Sequence, residues 1–157
     1  MMSAAVSPQE ELRELYRELI LDHARSPRHF GKLDNASHEA QGINPLCGDK
    51  LKLYLRIDAD GIIRDAAFEG SGCAIPVASA SLLTDTVIGM NISGALQFFD
   101  TIIGSLSGAD EVPREELGKL AALQGVREFP SRVKCATLAW HALNSAINDN
   151  PEPATTE

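Results

Sequence analysis

A regular alternation of apolar and polar residues runs through residues 50–58. The apolar positions of this run are Leu51, Leu53, Leu55 and Ile57. A period of two places every second side chain on one face, which predicts a strand with one buried face. The turn-forming residues 58–61 and a second strand-like run over 62–69 follow directly. The two runs therefore predict a β-hairpin, and a third short strand is expected near residues 38–41.

Helical spacing dominates the rest of the chain. The first helix is predicted to begin at Pro8, because Ser7 and Glu10 form a capping box, and to end at Ser26-Pro27. Its apolar positions recur three and four residues apart. They are Leu12, Leu15, Tyr16, Leu19 and Ile20.

Four further helices are predicted after the hairpin. The first follows Cys73, the second spans residues 94–104 and ends at Gly104-Ser105, the third follows Pro113, and the last runs from about residue 133 to 147. The pattern indicates an α+β fold in which a small antiparallel sheet of about three strands packs against several helices. Residues 1–147 are predicted to form one domain. The polar tail, residues 148–157, contains two prolines and is expected to be disordered.

Composition and charge exclude several classes of function. The formal net charge of −8 is opposite to what a nucleic-acid-binding surface requires. No run of apolar residues is long enough for a transmembrane helix, and the N-terminal residues do not resemble a secretory signal. Three cysteines make a poor disulfide framework, which favours free or metal-bound thiols in a reducing cytoplasm.

The three cysteines fall at predicted element boundaries. Cys47 precedes the first long strand, Cys73 lies between a strand and a helix, and Cys135 is predicted to open the last helix. Functional groups often gather where elements end. A helix N-terminus also favours thiolate, which predicts a lowered pKa for Cys73 and Cys135.

Three thiolates and one carboxylate form a suitable four-coordinate set for zinc. Asp49 is the natural fourth ligand, since one loop can turn both Cys47 and Asp49 inward. Such a site carries a charge of about −2, which Arg132 and Lys134 are placed to offset. The spacing is not that of a zinc finger, so an alternative with Cys73 packed and Cys47 exposed stays open.

The histidines are interpreted as ordinary surface or packing residues. His23 and His29 flank the end of the first helix, where exposed or capping roles are expected. His38 is expected to be exposed. His141, which follows Trp140 on the last helix, is expected to be a packing residue, with a supporting role beside the metal ligands as the alternative.

Three stretches around the cysteines carry a family resemblance. They read NPLCGD (residues 44–49), GSGCAIPVASASLLTD (70–85) and FPSRVKCATLAWHAL (129–143). In this order they resemble the NifU/IscU-type scaffold family of iron–sulfur cluster assembly, and the likeness extends over nearly the whole chain. The resemblance implies an IscU/SufU-like fold.

Several differences from the IscU branch make the chain similar to the SufU branch of that family. Gly-Ser-Gly-Cys stands where IscU-type proteins read Gly-Cys-Gly, and Lys134 stands where they carry a histidine ligand. An extra segment around residues 90–125 separates Cys73 from Cys135, and EFPSRVK replaces the LPPVK chaperone-binding segment. The chain is identified as a SufU-type member of the family.

This resemblance implies zinc bound by Cys47, Asp49, Cys73 and Cys135. It also implies a sulfurtransferase-like role, rather than that of a free-standing small-molecule enzyme, as sulfur acceptor for a SufS-type cysteine desulfurase. A thiolate would take up the partner's persulfide sulfur and pass it toward downstream iron–sulfur assembly proteins. Cys47 is the predicted acceptor because its short loop is bounded by Gly and Pro, and Arg132 is predicted to contact the partner or steady the site.

Two other functions remain open. The same ligands could hold iron or a [2Fe–2S] cluster on a scaffold that transfers it to apo-proteins. The chain could also be a purely structural zinc domain that binds a partner.

Overall fold

A computed structural model of the protein describes residues 7–45, 47–108, 111–150 and 152–155. Within these residues it has five α-helices, one 3₁₀ segment and four strands, which confirms the predicted α+β class. The elements in chain order are α1 (Pro8–Arg25), β1 (His38–Asn44), β2 (Asp49–Ile57), β3 (Ile63–Ser71), α2 (Ala74–Val87), α3 (Ile92–Ser107), α4 (Arg114–Leu117), the 3₁₀ segment (Gly118–Glu128), α5 (Pro130–Ile147) and β4 (Ala154–Thr155).

The strands form one mixed sheet in the order β3-β2-β1-β4. β1, β2 and β3 are antiparallel neighbours, as the hairpin pattern predicts. β4 is two residues long and runs parallel to β1, with Gly42 opposite Ala154. The sheet therefore has a fourth, parallel strand beyond the three antiparallel ones expected. β4 belongs to the tail predicted to be disordered. This part of the tail pairs with β1 because the open edge of β1 offers unpaired backbone groups to an extended segment.

The alternating side chains of β2 form the buried face of the sheet. Leu53 and Leu55 are fully buried and Leu51 is nearly so. α5 lies against β1 and β2 and also packs on α2, so that Trp140 is completely enclosed, as expected for a core residue. This packing holds the first turns of α5 next to one end of the sheet.

The first helix begins and ends where the sequence predicts. The hydroxyl of Ser7 accepts a hydrogen bond from the backbone amide of Glu10 at 3.1 Å, and Pro8 is the first helical residue. The helix ends at Arg25, before Ser26-Pro27. Local capping chemistry therefore determines both boundaries.

The predicted apolar stripe of α1 is only partly buried. Tyr16, Leu19 and Ile20 pack against the core, whereas Leu15 is 65% exposed. The side chain of Leu12 lies outside the described residues. α1 contacts α2 and the 3₁₀ segment, and these contacts favour the Tyr16 side of the stripe.

α3 continues three residues past Gly104, where a glycine-serine pair predicts its end. Gly104 and Ser105 are both buried inside the helix, and the Ser105 hydroxyl accepts a hydrogen bond from the Gln124 side chain at 3.1 Å. These small residues allow the 3₁₀ segment to approach closely. The helix ends instead at Gly108, whose φ of 81° gives a left-handed C-cap.

The segment after Pro113 is helical as predicted, but most of it is a 3₁₀ helix. α4 has only four residues, and the 3₁₀ segment continues for eleven. Its large buried side chains, counted from Leu117 at the end of α4, recur every third position, which fits three residues per turn. They are Leu117, Leu120, Leu123 and Val126.

α5 begins at Pro130, three residues earlier than expected. Proline suits the first helical position because its missing amide proton has no partner there. Cys135 consequently lies in the second turn of α5 rather than at its start. Across all the helices in the described residues, none has the length and apolarity needed to cross a membrane.

Candidate metal centre

The turn between β1 and β2 carries the first two predicted ligands. Asn44, the last residue of β1, pairs with Asp49, the first residue of β2. Cys47 lies in the intervening turn, where Gly48 adopts a left-handed φ of 71°. The hairpin geometry therefore holds Cys47 and Asp49 at the same end of the sheet.

The other two ligands reach this end from β3 and α5. β3 ends at Ser71, opposite Lys50, so Cys73 follows beside the start of β2 and occupies the N-cap position of α2. Cys135 comes from the second turn of α5, which packs on the same strands. The fold thus brings together residues that are 26 and 62 positions apart along the chain.

Cys135 contacts the other three ligands. Its sulfur is 3.8 Å from the sulfur of Cys47, 4.0 Å from that of Cys73 and 3.4 Å from Oδ2 of Asp49. The ligand atoms of Cys47, Asp49 and Cys135 all lie within 4.8 Å of one another. Cys73 contacts Cys135 but is not part of this mutually close group. The structure therefore brings three of the four predicted ligands together and places the fourth beside Cys135.

The three distances from Cys135 match the ligand separations of a tetrahedral zinc site. With Zn–S bonds of about 2.3 Å and Zn–O bonds of about 2.0 Å, two sulfurs of a tetrahedron lie about 3.8 Å apart and a sulfur and an oxygen about 3.5 Å apart. The Cys135 separations of 3.8, 4.0 and 3.4 Å are close to these values. Three sulfur donors also favour zinc or iron–sulfur chemistry over hard cations.

Both oxygens of Asp49 are held in place by neighbouring groups. Oδ1 accepts a hydrogen bond from the backbone amide of Cys73 at 3.0 Å, and Oδ2 accepts one from the Asn44 side chain at 3.3 Å. The residue is completely buried. Asp49 thereby links the β1–β2 turn to the start of α2, so its carboxylate is fixed before any metal binds.

Asn44 also lies at the centre, although it is not among the site residues predicted from the sequence. Its amide nitrogen donates to Asp49 and lies 3.5 Å from the sulfur of Cys135. The side chain is 1% exposed, and its Oδ1 has no hydrogen-bond partner among the described residues. The available signal was its position in NPLCGD, where strand pairing directs it toward Asp49.

The three thiols differ in exposure. Cys47 and Cys73 are exposed, whereas Cys135 is 3% exposed. Burial raises the pKa of the Cys135 thiol, and the nearby Asp49 carboxyl and the other two thiols raise it further. The lowered pKa predicted for Cys135 is therefore wrong, because the residue lies in the buried second turn of α5 rather than at its start. A metal ion would have to displace its proton.

The two predicted cations lie on the first turns of α5. The Arg132 guanidinium is exposed and stacks on the Phe129 ring at 4.5 Å from its centroid. Lys134 is half-buried. Among the described residues, neither forms an ion pair with Asp49. The roles predicted for Arg132 and Lys134 therefore stay predictions.

The histidines contribute no ligand to the metal-binding group found in the described part of the chain. His23, expected to be exposed or capping, is instead 1% exposed, and its Nδ1 lies 2.7 Å from the Ser81 hydroxyl. It bridges α1 and α2, because the last turn of α1 lies against α2. His141 stacks edge-on against Phe99 at 5.6 Å, as the packing interpretation predicts.

Comparisons with known proteins agree with this geometry. The sequence profile of the NifU-like N terminal domain matches residues 15–136, which is more than half of the chain. The chain belongs to the NifU-like N-terminal domain family. The family resemblance inferred from the cysteine motifs is thereby confirmed.

Relatives within this family carry two kinds of name. The chain is 43% identical over 136 residues to the zinc-dependent sulfurtransferase SufU of Bacillus subtilis (strain 168), covering 87% of this chain and 91% of that protein. It is 42% identical over 137 residues to the iron–sulfur cluster assembly scaffold protein IscU of Streptococcus pyogenes serotype M1, covering 87% and 85%. The two names describe different tasks, zinc-dependent sulfur transfer and the scaffolding of iron–sulfur cluster assembly.

Solved structures of NifU-like proteins share the fold. An iron–sulfur cluster assembly scaffold protein for the SUF system from Fervidobacterium islandicum AW-1 aligns with a TM-score of 0.79 at 33% identity, covering 86% of this chain and 98% of that one. The N-terminal part of a NifU-like protein from Brucella abortus aligns with a TM-score of 0.77 at 25% identity, covering 87% and 94%. The NifU-like family therefore accounts for both the sequence motifs and the architecture.

Proposed function

We propose that this protein is a zinc-dependent sulfur acceptor that takes persulfide sulfur from a SufS-type cysteine desulfurase and stimulates that enzyme. The observation that carries the proposal is the clustering of Cys47, Cys73 and Asp49 around the sulfur of Cys135, each with an atom within 4.0 Å of it. The SufU-like motifs and the name of the Bacillus subtilis relative support zinc in particular.

Cys47, Asp49, Cys73 and Cys135 would hold the zinc ion, which would keep the thiols deprotonated at neutral pH. Cys135 is buried and Asp49 is fixed by two hydrogen bonds, so these two suit permanent ligands. Cys73 is anchored beside Asp49 through its own backbone amide. Cys47, exposed in a turn next to a left-handed glycine, is the ligand that can leave with the least rearrangement.

The sulfur transfer would be an exchange between a thiolate and a persulfide. The Cys47 thiolate attacks the outer sulfur of the partner's Cys–S–SH group. A sulfur–sulfur bond forms at Cys47, the original bond breaks, and the partner's cysteine leaves as a thiolate. The outer sulfur keeps its proton and its oxidation state, so the step needs no external oxidant or reductant.

Sulfur transfer also depends on the cellular compartment and on contacts with other proteins. Free thiols persist in a reducing compartment, so we place the exchange in the cytoplasm. The sulfur would next pass to downstream iron–sulfur assembly proteins. Arg132 would contact the desulfurase or steady the centre, since it lies three residues before Cys135 on an exposed turn.

The test combines a metal assay with desulfurase activity. We expect about one zinc per purified chain, by the count of four ligands, and faster alanine release by the desulfurase in the presence of this protein. Cys47→Ala should abolish the stimulation. Mass spectrometry of the wild-type protein after incubation with desulfurase and cysteine should find the added sulfur on the peptide that contains Cys47.

Loss of zinc alone could explain a loss of stimulation, so a matched variant is needed. Cys73→Ala removes a ligand but leaves Cys47, and persulfide on its Cys47 peptide would separate sulfur acceptance from metal binding. Unchanged stimulation by Cys47→Ala, or added sulfur found only on Cys73 or Cys135, would refute the acceptor assignment.

A second candidate function is a scaffold on which a [2Fe–2S] cluster is assembled and passed on. It is favoured by the relatives and solved structures named as iron–sulfur assembly scaffolds. It predicts visible absorbance after anaerobic reconstitution and cluster transfer to an apo-ferredoxin. If the zinc were purely structural, removing the metal would unfold the chain, and the protein would not change the rate of the desulfurase.

A further inference from the structure

A groove of about 840 Å³ lies between α1 and the 3₁₀ segment. Residues 13–21 of α1 supply one wall and residues 121–127 supply the other. Ile75 at the start of α2, Gly108 at the end of α3 and Arg132 on α5 complete the lining. The groove is separate from the four metal ligands, none of which lines it.

The charge of this groove is opposite to that of the protein. Its lining includes four arginines, Arg13, Arg17, Arg127 and Arg132, and no carboxylate among the described residues. The chain as a whole has 14 basic and 22 acidic residues. Grouping like charges raises the free energy of the folded protein unless an anion compensates for them.

The arginines of the groove are available to a ligand. Arg127 pairs with Glu111 at 3.5 Å, but Glu111 is 92% exposed, and such surface pairs contribute little. Arg132 stacks on Phe129, which leaves its hydrogen-bond donors open. Arg13 and Arg17 are exposed and have no acidic group within 4.0 Å in the part of the chain that the structure describes.

The floor of the groove is apolar. Tyr16, Ile20 and Ile75 line it and are only half-buried, although each also packs against the core. A ligand that covered them would remove apolar surface from water, which is favourable. The complementary ligand therefore combines negative charges with apolar groups.

We propose that the groove binds an acidic amphipathic segment of a protein partner. Arg13 and Arg17 lie one helical turn apart on α1, whereas Arg127 and Arg132 belong to two other elements. Charges distributed in this way match several spaced carboxylates better than one small anion. A helical segment with acidic residues four apart and an apolar stripe has that chemistry.

The position of the groove indicates which partner would use it, and this step rests on the proposed function. Ile75 follows Cys73 by two residues, and Arg132 precedes Cys135 by three. A segment in the groove would thus hold its protein beside the metal centre. Cys47 does not line the groove and would stay accessible. The partner is therefore the protein that delivers sulfur.

The direct test measures binding of a designed peptide by fluorescence anisotropy. The probe is a fluorescein-labelled amphipathic peptide of about 16 residues with glutamates four apart and a leucine stripe, and its comparison peptide has glutamine at each glutamate. The protein variants are Arg13→Gln/Arg17→Gln and, as a matched control outside the groove, Arg25→Gln/Lys32→Gln. Both variants lose the same charge from exposed positions.

We expect the acidic peptide to bind the native protein more tightly than the glutamine peptide, with affinity falling as salt rises. Arg13→Gln/Arg17→Gln should weaken binding about tenfold, while the control variant should change it by less than about twofold. Equal binding of both peptides, or equal loss in both variants, would overturn the proposal. Binding of decanoate, an anion with an apolar chain, in the absence of peptide would also overturn it. So would an association of two copies of this protein that Arg13→Gln/Arg17→Gln abolishes and the control variant does not.

A second readout separates this inference from the proposed function. The concentration of this protein that gives half-maximal stimulation of the desulfurase should rise about tenfold in Arg13→Gln/Arg17→Gln, with the maximal rate unchanged. An unchanged half-maximal concentration contradicts the groove but leaves sulfur acceptance intact. If the native protein gives no stimulation, sulfur acceptance fails, and the peptide measurement still decides whether the groove binds acidic segments. Equal unfolding midpoints exclude a folding defect.

Discussion

Gly72 leaves room for the carboxylate of Asp49. A Cβ atom on Gly72 would overlap Oδ1 of Asp49 and lie 2.9 Å from its Cγ. The φ of Gly72 is +135°, a conformation that side chains of other residues rarely adopt. Asp49 cannot move aside easily, because it is completely buried and both of its oxygens accept hydrogen bonds. The orientation of one predicted ligand therefore depends on this glycine.

Gly72→Ala should weaken zinc binding by about 10- to 100-fold, the range typical of changes that misplace a ligand. The added methyl group displaces the carboxylate and disturbs its hydrogen bond to the Cys73 amide. The measurement is competition with a chromophoric zinc chelator. Gly89→Ala is the matched control, because its φ is +97° but nothing lies within 4 Å of the added Cβ. It should lower stability without changing zinc affinity, and equal effects of the two variants would contradict the steric explanation.

Asn44→Ala should also weaken zinc binding about tenfold or more. The amide of Asn44 donates to Asp49 and faces the sulfur of Cys135, so the variant leaves two ligands less well oriented. The cost in stability should be small, because the substitution also removes a buried Oδ1 that has no partner among the described residues. The chelator competition and a urea unfolding curve measure these two effects separately.

Asn91→Ala provides the opposite control for the Asn44 prediction. Asn91 caps α3, and its Oδ1 accepts a hydrogen bond from the Gly94 amide at 2.6 Å. Losing this cap should cost about 1 kcal/mol of stability and leave zinc affinity unchanged, because α3 carries no ligand. If Asn44→Ala behaved like Asn91→Ala, its role would be structural and the assignment to the centre would be wrong.

The proximity of the predicted ligands could be foreseen from sequence because three of them lie at local boundaries. The structure contains chain reversals that turn-forming residues predict. These residues surround Cys47 and Asp49 and include the glycines before Cys73. Cys135 was harder to place. A proline such as Pro130 can either interrupt the chain or be the first residue of a helix. The sequence prediction treats it as a break, whereas α5 begins there, so Cys135 lies in the buried second turn and not at the start of the helix.

Other features depend on contacts that no local pattern encodes. Asn44 is directed into the centre by its pairing with Asp49 across the hairpin. His23 is buried because α2 places Ser81 beside it, 58 positions later in the chain. The groove arginines come from three elements whose proximity only the fold creates. The sequence therefore predicts which candidate ligand residues lie near one another, but not the residues that support or surround them.

His23 should make stability fall as the pH drops below about 6.5, its ordinary pKa. Burial lowers the pKa of the folded-state imidazole, so the unfolded chain binds a proton before the folded protein does. The charged groups facing it act in both directions. Arg28 and Lys119 lower its pKa, whereas Asp22 and Asp85 raise it.

The measurement is urea unfolding of the native protein and His23→Asn across this pH range. The asparagine in the variant keeps a hydrogen-bond acceptor toward Ser81 but cannot titrate. The variant therefore does not show the fall in unfolding free energy that protonation of His23 in the unfolded chain causes. The difference in stability between the two proteins should be largest above pH 6.5 and shrink as the pH falls. Contributions that both share, including metal release, cancel in this difference. A difference that stays constant with pH would show that His23 does not titrate as its burial implies.

Trp140→Phe should be nearly neutral for stability, although Trp140 is fully buried. Its indole Nε1 has no hydrogen-bond partner among the described residues, so removing it eliminates a desolvated donor worth about 1–3 kcal/mol. The smaller ring gives up packing, including part of the contact with Phe98 at 5.9 Å, at a cost of about 1 kcal/mol or slightly more. These two effects offset each other.

Trp140→Ala also removes the indole nitrogen but loses the whole ring, so it should cost about 3–5 kcal/mol. Urea unfolding followed by circular dichroism compares the three proteins without relying on the single tryptophan. A cost for Trp140→Phe close to that for Trp140→Ala would mean that the indole nitrogen does have a partner, such as an ordered water.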